Sequence, residues 1–184
     1  MYLGYIYPRK IPKYRDRWEA WLNRDIEWEQ TFQRMFKESW ANNKIKEFHW
    51  KCLVGGITTE AKLKKFKVSD GLCKLCGEKL ESVVHILGEC KEVKELWDIE
   101  EIDIDGEGQL KIKMDFIAGL FLEQKSKSRK QTKVTGTFYS CLFWEIWRRR
   151  NNFKFNNKKQ NIGVTLDKAV RLTLDFVGIR KKIE

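Results

Sequence analysis

Three of the five cysteines in this 184-residue chain lie within eighteen residues of one another, and one of its only two histidines lies among them. They form the pattern Cys73-x2-Cys76-x8-His85-x4-Cys90. Two cysteines separated by two residues are the usual first half of a tetrahedral zinc site, and Gly77 permits the tight turn that directs both thiolates at one point. The pattern therefore predicts one structural Zn²⁺ bound by Cys73, Cys76, His85 and Cys90. The alternative is a chance grouping of buried thiols around a core histidine.

The second half of this site requires a helix that ends early. The segment LESVVHILGEC is predicted to form a short helix that carries His85. A histidine and a cysteine five residues apart do not share one face of an α-helix, so the helix must end before Cys90, and Gly88 is the predicted stop. The remaining cysteines and the other histidine lie on apolar faces of predicted helices and are assigned to the core: Cys52, Cys141 and His49.

Apolar residues make up 42% of the chain, and the eight Trp and eleven Phe supply large rings for a core. These apolar residues recur mostly at helical spacing, which predicts a mainly α fold: a small helical domain with one embedded CCHC zinc site and little or no β structure. The expected organisation has four parts: an extended basic N-terminal segment at 1–14, a helical region at 15–124 that includes the zinc site at 73–90, a basic linker at 125–133, and a C-terminal helical region at 134–184.

Local signals place several helix boundaries. A break is predicted near Asn23, and the next long helix is predicted to start at Asn42 or Asn43 and to end at Gly55–Gly56. The segment TKVTGTFYSCLFWEIWRRRNNFKF is predicted to be a helix that is apolar on most sides and then abruptly basic. The last helix is predicted to be amphipathic, with a buried stripe of Leu166, Val170, Leu174 and Val177.

The sequence indicates an intracellular protein. No run of eighteen apolar residues occurs, so no membrane-spanning helix and no membrane partner are expected. The N-terminal residues lack the long apolar stretch of a signal peptide. The cysteine spacing suits a metal better than disulfides, which indicates a reducing compartment. The expected location is the nucleus, the cytoplasm or both.

The net charge of +11 and the pI near 9.4 favour a polyanionic partner, above all a nucleic acid. The basic residues are clustered at 9–17, 44–67, 125–133 and 148–159, whereas residues 92–107 are strongly acidic. The acidic stretch is expected either to stay away from phosphate or to dock on a basic neighbour. The predicted nucleic-acid contacts are Arg148, Arg149, Arg150, Asn152 and Lys154, together with Lys62, Lys64, Lys65 and Lys67. For the lysine group, the alternative is an ordinary solvated helix face.

A longer stretch around the predicted zinc site resembles a known family. The run from Lys44 to Trp97 is similar to the zinc-binding region found C-terminal to the polymerase in non-LTR (LINE-type) retrotransposon reverse transcriptases. The matching positions are Phe48, Trp50, Leu53, Thr59, Leu63, Cys73, Cys76, Gly77, Glu81, His85, Cys90 and Trp97. The later FWEIWRRRNNFKF resembles a downstream segment of the same family through Ile146, Trp147, Arg150, Asn151 and Phe155.

The resemblance implies a module that helps a reverse transcriptase hold template RNA, target DNA or both, with RNA favoured and the polymerase part of a larger protein as a candidate partner. The chain contains no Asp-Asp pair and no constellation of acid, base and nucleophile, so it is not expected to be an enzyme itself. The alternative function is a domesticated protein–protein interaction module stabilised by zinc, with residues 92–107 as a candidate contact.

Overall fold

One long helix, α7 (Arg129–Asn156), forms the centre of the fold. The structure is a computed structural model that describes residues 14–123 and 128–178. Along its middle part, at 134–146, α7 is buried on most sides, because other helices pack around it. Its fully buried side chains include Phe138, Tyr139, Leu142, Phe143 and Ile146. The predicted helix of mostly apolar character is thus confirmed, and the basic residues Arg148, Arg149 and Arg150 directly follow its apolar part.

Four short helices precede the cysteine-rich segment: α1 (Tyr14–Leu22), α2 (Trp28–Gln33), α3 (Asn43–Leu53) and α4 (Glu60–Lys65). A π-helical turn, π1 (Arg34–Glu38), directly follows α2. The predicted break lies at Asn23, whose φ is +51°. Asn42 caps α3 by accepting a hydrogen bond from the Ile45 amide at 3.0 Å, as predicted. The Trp18 indole donates to the Leu53 carbonyl at 2.6 Å, which fastens α1 to the end of α3.

The segment after α4 contains a second π-helical turn, a small sheet and two short helices. In order these are π2 (His85–Glu89), α5 (Lys91–Lys94), β1 (Glu101–Asp103), β2 (Lys111–Lys113) and α6 (Phe116–Leu120). The two strands are antiparallel, with Ile102 opposite Ile112. The predicted fold class, mainly α with little β, is confirmed. No helix in the described ranges combines the length and the apolar character needed to cross a bilayer.

The last helix, α8 (Ile162–Val177), packs along α7 and ends at Gly178. The predicted buried stripe is only half-buried, so this prediction needs correction. The innermost face consists of smaller residues one position earlier: Thr165, Ala169 and Thr173. Small side chains allow two helices to approach closely, and the larger predicted residues then flank the contact instead of forming its centre. The Thr173 hydroxyl is satisfied locally, because it donates to the Ala169 carbonyl at 2.7 Å.

Part of the predicted basic linker is helical. Residues 129–133 form the start of α7, and Ser128 caps this helix by accepting a hydrogen bond from the Gln131 amide at 3.1 Å. The polar composition of this stretch reflects an exposed first turn rather than a linker. Tyr14, assigned to the extended N-terminal segment, is the first residue of α1. Residues 1–13, 124–127 and 179–184 lie outside the described residues.

His49 lies in the core of the fold, as predicted, and not in a metal site. Its Nε2 is 2.9 Å from the Leu120 carbonyl, and its Nδ1 is 3.0 Å from the Ser140 hydroxyl. A carbonyl only accepts, so Nε2 carries the proton of the neutral ring. Burial lowers the pKa of His49 to about 4. The folded protein therefore holds this histidine uncharged.

The depressed pKa of His49 predicts a loss of stability in mild acid. The unfolded chain binds this proton near pH 6.5, whereas the folded chain resists it down to about pH 4, so stability is lost as the pH falls through this window. The expected loss is about 2 kcal/mol between about pH 7 and about pH 5. Urea unfolding in excess zinc measures it. The His49→Gln variant keeps the rest of the protein, including any acid-labile metal site, and should lose this part of the pH dependence. Equal pH dependence in the two proteins would contradict the prediction.

Candidate metal centre and basic surfaces

Cys73 and Cys76 lie on a small hairpin that directs both sulfur atoms at one point. An antiparallel bridge between Leu72 and Leu80 closes the hairpin. The Gly77 amide donates to the Cys73 carbonyl at 2.7 Å, and Gly77 has a φ of +72°, which residues with a Cβ rarely adopt. This confirms the tight turn that was predicted from Gly77.

His85 and Cys90 are brought together by π2. The Cys90 amide donates to the His85 carbonyl at 2.8 Å, which is the five-residue hydrogen bond of a π-helix. An α-helical turn would place residues four apart over one another, whereas this wider turn does so for residues five apart. Gly88 was predicted to end the helix, but it lies within π2. Its role is steric, because a Cβ at Gly88 would lie 2.7 Å from the Phe116 ring.

The four predicted ligands fit one tetrahedral zinc ion. Their ligand atoms all lie within 4.8 Å of one another. Cys73 Sγ is 3.8 Å from Cys90 Sγ, and Cys76 Sγ is 3.4 Å from His85 Nε2. Zn–S bonds of about 2.3 Å and Zn–N bonds of about 2.0 Å in a tetrahedron give edges of about 3.8 Å between sulfurs and about 3.5 Å between sulfur and nitrogen. The group could therefore hold one zinc ion with protein ligands at every position.

The His85 ring is buried, and hydrogen bonds to other core residues do not explain its burial. Its Nδ1 is buried and has no hydrogen-bond partner in the described part of the chain, while its Nε2 faces the sulfur atoms. Burial lowers the pKa of His85, so the ring is neutral at pH 7 and offers a lone pair to a metal. The hydrogen bond from the Cys73 thiol lowers the pKa of Cys90, and the same bond raises the pKa of Cys73. Such a set of thiols is chemically suited to a thiolate-bound zinc.

A buried ion-pair network joins the cysteine-rich loop to α7. The Arg150 side chain is only 2% exposed and donates to Glu81 at 2.5 Å and to Glu60 at 2.6 Å. A second bond runs from Arg150 Nε to Glu81 at 3.1 Å. Glu60 begins α4, and Glu81 lies between Cys76 and His85, so one guanidinium connects three parts of the chain. We call Arg150, Glu60 and Glu81 the buried ion network.

Three residues that were predicted to contact nucleic acid form contacts within the protein instead. Arg150 belongs to the buried ion network, so its predicted contact with nucleic acid is wrong. Arg149 is also buried, donates to the Gln160 carbonyl at 2.7 Å and pairs with Glu92 at 3.3 Å. Lys154 pairs with Glu60 at 2.5 Å. Burial opposes ionisation of Glu60, but hydrogen bonds from Lys154 and Ser69 hold its pKa below the usual value. Consecutive arginines point to different sides of the helix. The sides of α7 that carry Arg149 and Arg150 still face other elements.

Sequence reasoning missed Glu60 and Glu81 as functional parts of the structure. A glutamate carries no local signal that it will be buried, since most glutamates are exposed. One signal was available, because Glu81 and Arg150 both lie among the positions that resemble the reverse transcriptase family. Their pairing could have been inferred from that coincidence.

The lysines at the end of α4 remain exposed. Lys64, Lys65 and Lys67 have no ion-pair partner among the described residues, and Phe66 between them is 69% exposed. We call these four residues the α4 basic surface. Lys62 is half-buried and donates to the Gly55 carbonyl at 3.3 Å.

The other predicted contacts on α7 are accessible. The Arg148 side chain is 59% exposed and pairs with the buried Glu145 at 2.8 Å. Asn152 is half-buried and accepts a hydrogen bond from the Asn156 amide group at 2.9 Å. The involvement of both residues in nucleic-acid binding stays a prediction.

Part of the acidic stretch is paired within the chain. Glu92 accepts from Arg149 and from Lys159, the latter at 3.0 Å, and Glu101 pairs with Lys111 across the small sheet. Asp103 accepts from the Gly106 and Gly108 amides and thereby closes its own loop. This agrees with the expectation that the stretch docks on basic neighbours.

Loss of one ligand should release the metal. Cys90→Ser is expected to lower the zinc content from one ion per chain to nearly none, because a hydroxyl is a poor zinc ligand. Binding at structural zinc sites supplies on the order of 10 kcal/mol, so the variant should also unfold at much lower urea concentration. Metal analysis by mass spectrometry and circular dichroism measure both effects. Cys52→Ala is the matched control, because this core cysteine should be replaceable with the zinc retained. Full zinc content in Cys90→Ser would count against the site.

Removal of the guanidinium should destabilise the fold without removing the metal ligands. In Arg150→Met the buried Glu81 loses its cation and Glu60 keeps only Lys154, and breaking such a buried pair typically costs about 3–5 kcal/mol. Arg171→Met, on the exposed face of α8, is the control and should change stability by less than about 0.5 kcal/mol. Chemical unfolding in the presence of zinc compares them. A similar small change in both variants would show that the buried ion network does not hold the fold together.

Comparisons with known proteins agree with this geometry. Residues 13–97 match a family model described as zinc-binding in reverse transcriptase. Searches of curated proteins and of solved structures found no match. The matched residues contain all four ligands and both glutamates of the buried ion network. Residues 13–97 are thus similar to a zinc-binding region associated with reverse transcriptase, and the group at Cys73, Cys76, His85 and Cys90 could hold its zinc.

Proposed function

We propose that this chain is a zinc-stabilised nucleic-acid-binding module of a retroelement reverse transcriptase of the non-LTR (LINE) type, or of a derivative of one. The observation that carries the proposal is the α4 basic surface beside the zinc site. Its three lysines are exposed and are not engaged in ion pairs within the described residues. The family match supports the link to reverse transcription.

The chemistry of this surface suits an unpaired strand. Lysines that neutralise phosphates release counterions, and this release provides affinity with little sequence preference. An exposed aromatic ring among them can stack on an unpaired base. Phe66 has this position, since most of its surface is open to solvent between Lys65 and Lys67. Single-stranded RNA is therefore the favoured ligand, and single-stranded DNA is the alternative.

In this proposal zinc has a structural role. The metal fixes the loop that follows α4, and the buried ion network fixes that loop and α4 against α7. The α4 basic surface is thereby held at a defined place on the module. The module itself binds rather than catalyses, and the polymerase part of a larger protein would supply the chemistry. A reverse transcriptase acts in the nucleus or the cytoplasm, and we place the module there.

One observation favours a second candidate function, a zinc-stabilised protein–protein interaction module. Apolar side chains near the zinc hairpin are exposed, and such clusters often mark protein interfaces. They are Phe66, Val68, Leu72 and Leu80. A protein complex built on these residues would survive high salt, whereas phosphate contacts would not.

Fluorescence anisotropy with a labelled single-stranded RNA, titrated at several salt concentrations, tests the proposal. We expect the affinity to fall steeply with salt. Replacement of Lys64, Lys65 and Lys67 by Ala should reduce the slope of log K against log salt by about two, since each phosphate contact on a single strand contributes about 0.7. Replacement of Lys37, Lys94 and Lys111 removes the same charge elsewhere and should reduce affinity much less.

The same titration separates the two candidate functions. Absence of RNA and DNA binding by the zinc-loaded protein would overturn the nucleic-acid proposal. Equal effects of the two triple variants would show that only net charge matters and that the α4 basic surface is not the contact.

A further inference from the structure

A groove lies between the second half of α7 and the start of α8. It has a volume of about 410 Å³, within the usual size range of small-ligand sites. Its lining includes Trp144, Trp147, Arg148, Asn152, Phe155 and Lys168. We call it the α7–α8 groove. The proposed function so far makes no use of its aromatic residues.

The indole rings of this groove are held in place before any ligand arrives. The ring of Phe48 packs against Trp144 at 5.2 Å and against Trp147 at 6.0 Å between centroids. Trp147 also carries the Arg150 guanidinium at 4.8 Å from its centroid. Both indoles are nevertheless half-exposed. Preorganised rings lose little conformational entropy on binding, which makes them good stacking platforms.

Phe155 is exposed at the end of the groove. Its relative exposure is 70%, so its ring is accessible to a ligand. The Lys154 ammonium lies 5.2 Å from its ring centroid. Phe155 therefore extends the aromatic lining of the groove to its exposed end.

The charged groups of the groove favour an anion. Arg148 is exposed, and Lys168 is exposed and donates to Gln160 at 2.6 Å. The one acidic side chain in the described lining is Glu145, whose buried carboxylate engages one nitrogen of Arg148. The guanidinium keeps other N–H donors for a phosphate, and Lys168 supplies the charge that no carboxylate of the lining balances. Amide groups of Asn152 and Asn156 also line the groove. These groups hydrogen-bond the edges of bases, which unpaired nucleotides expose.

The residues follow one stripe of α7. Trp144, Arg148, Asn152 and Phe155 are spaced by four, four and three positions, which places them on one face of a helix. The stripe extends over about 16 Å, given a rise of about 1.5 Å per residue. An aromatic ring, a cation, an amide and a second aromatic ring therefore follow one another along α7. Their line is long enough for a few nucleotides.

We propose that the α7–α8 groove binds unpaired nucleotides of a single strand, with bases stacked on Trp144 and Phe155 and phosphate held by Arg148 and Lys168. This inference rests on the proposed nucleic-acid-binding function and adds a second contact surface to it. Lys154, next to Phe155, pairs with Glu60 at the start of α4, the short helix whose other end carries the α4 basic surface. One strand could thus run from the α4 basic surface past Phe155 into the groove.

The test uses the full zinc-loaded chain and two probes, a uridine 12-mer RNA and the corresponding thymidine DNA, with a blunt duplex as a third ligand. Phe155→Ala should weaken binding of the single strands by about tenfold, as expected for the loss of one stacked base, and should leave duplex binding unchanged. Arg148→Gln should weaken it by several-fold. Arg24→Gln is the matched control, since Arg24 is similarly exposed and also forms one ion pair with a glutamate.

A second measurement locates the strand directly. An oligonucleotide with 5-iodouracil crosslinks to aromatic side chains that stack on it, and mass spectrometry identifies the residue. Crosslinks at Trp144 or Phe155 support the proposal. Wild-type single-strand binding that is reduced by loss of Lys64, Lys65 and Lys67 but not by Phe155→Ala or Arg148→Gln, with no crosslink on α7, overturns it and leaves the proposed function intact.

The other outcomes are equally informative. Absence of all nucleic-acid binding overturns both the groove and the proposed function. Equal effects of Phe155→Ala on single strands and on duplex show that unpaired bases are not the ligand. Displacement of the oligonucleotide by polyglutamate of the same charge at equal concentration would assign the groove to an acidic protein segment instead.

Discussion

The contact of Arg150 with two buried glutamates determines how the parts of this fold are placed. Glu60 and Glu81 are nearly inaccessible to water, and a carboxylate in such a place must be compensated by a cation with suitable geometry. The planar guanidinium donates to both glutamates at once through N–H groups in a fixed fork, a geometry that a lysine ammonium lacks. Glu60 begins α4, and Glu81 lies inside the cysteine-rich loop. Their ion pairs with Arg150 therefore hold α4 and this loop against α7. The positions of the metal site and of the α4 basic surface follow from this network.

The metal and the buried ion network act on different features of the cysteine-rich loop. Cys73 and Cys76 lie on the hairpin and His85 and Cys90 lie at the two ends of π2, so the metal would join these two turns. The ligands are followed by buried residues, notably Ile86, Leu87 and Val93, which join the loop to the general core. Zinc therefore shapes the loop, whereas the buried ion network and these apolar residues orient it.

The sequence allowed the prediction of the mainly α fold, the four ligands and the cap at Asn42, because each depends on local spacing or on a short-range hydrogen bond. It did not allow the prediction of contacts over a long range. Arg150 and Lys154 had the composition of a phosphate site, and only the packing of α4 against α7 shows that glutamates neutralise them. The buried face of α8 was misplaced by one residue for a related reason, since closeness to α7 selects small side chains there, whereas hydrophobicity alone selects Leu and Val.

The π-helical turn at 85–89 gives the spacing of the metal ligands a structural meaning. One residue fewer between His85 and Cys90 would bring the two ligands together on an ordinary α-helical turn. One residue more, as found here, is accommodated by the wider π-helical turn. In this turn the Phe116 ring lies close against Gly88. The number of residues between the last two ligands therefore depends on the type of helical turn that joins them. The interval of four residues in this chain is spanned by a π-helical turn, so the metal site and the type of helical turn depend on each other.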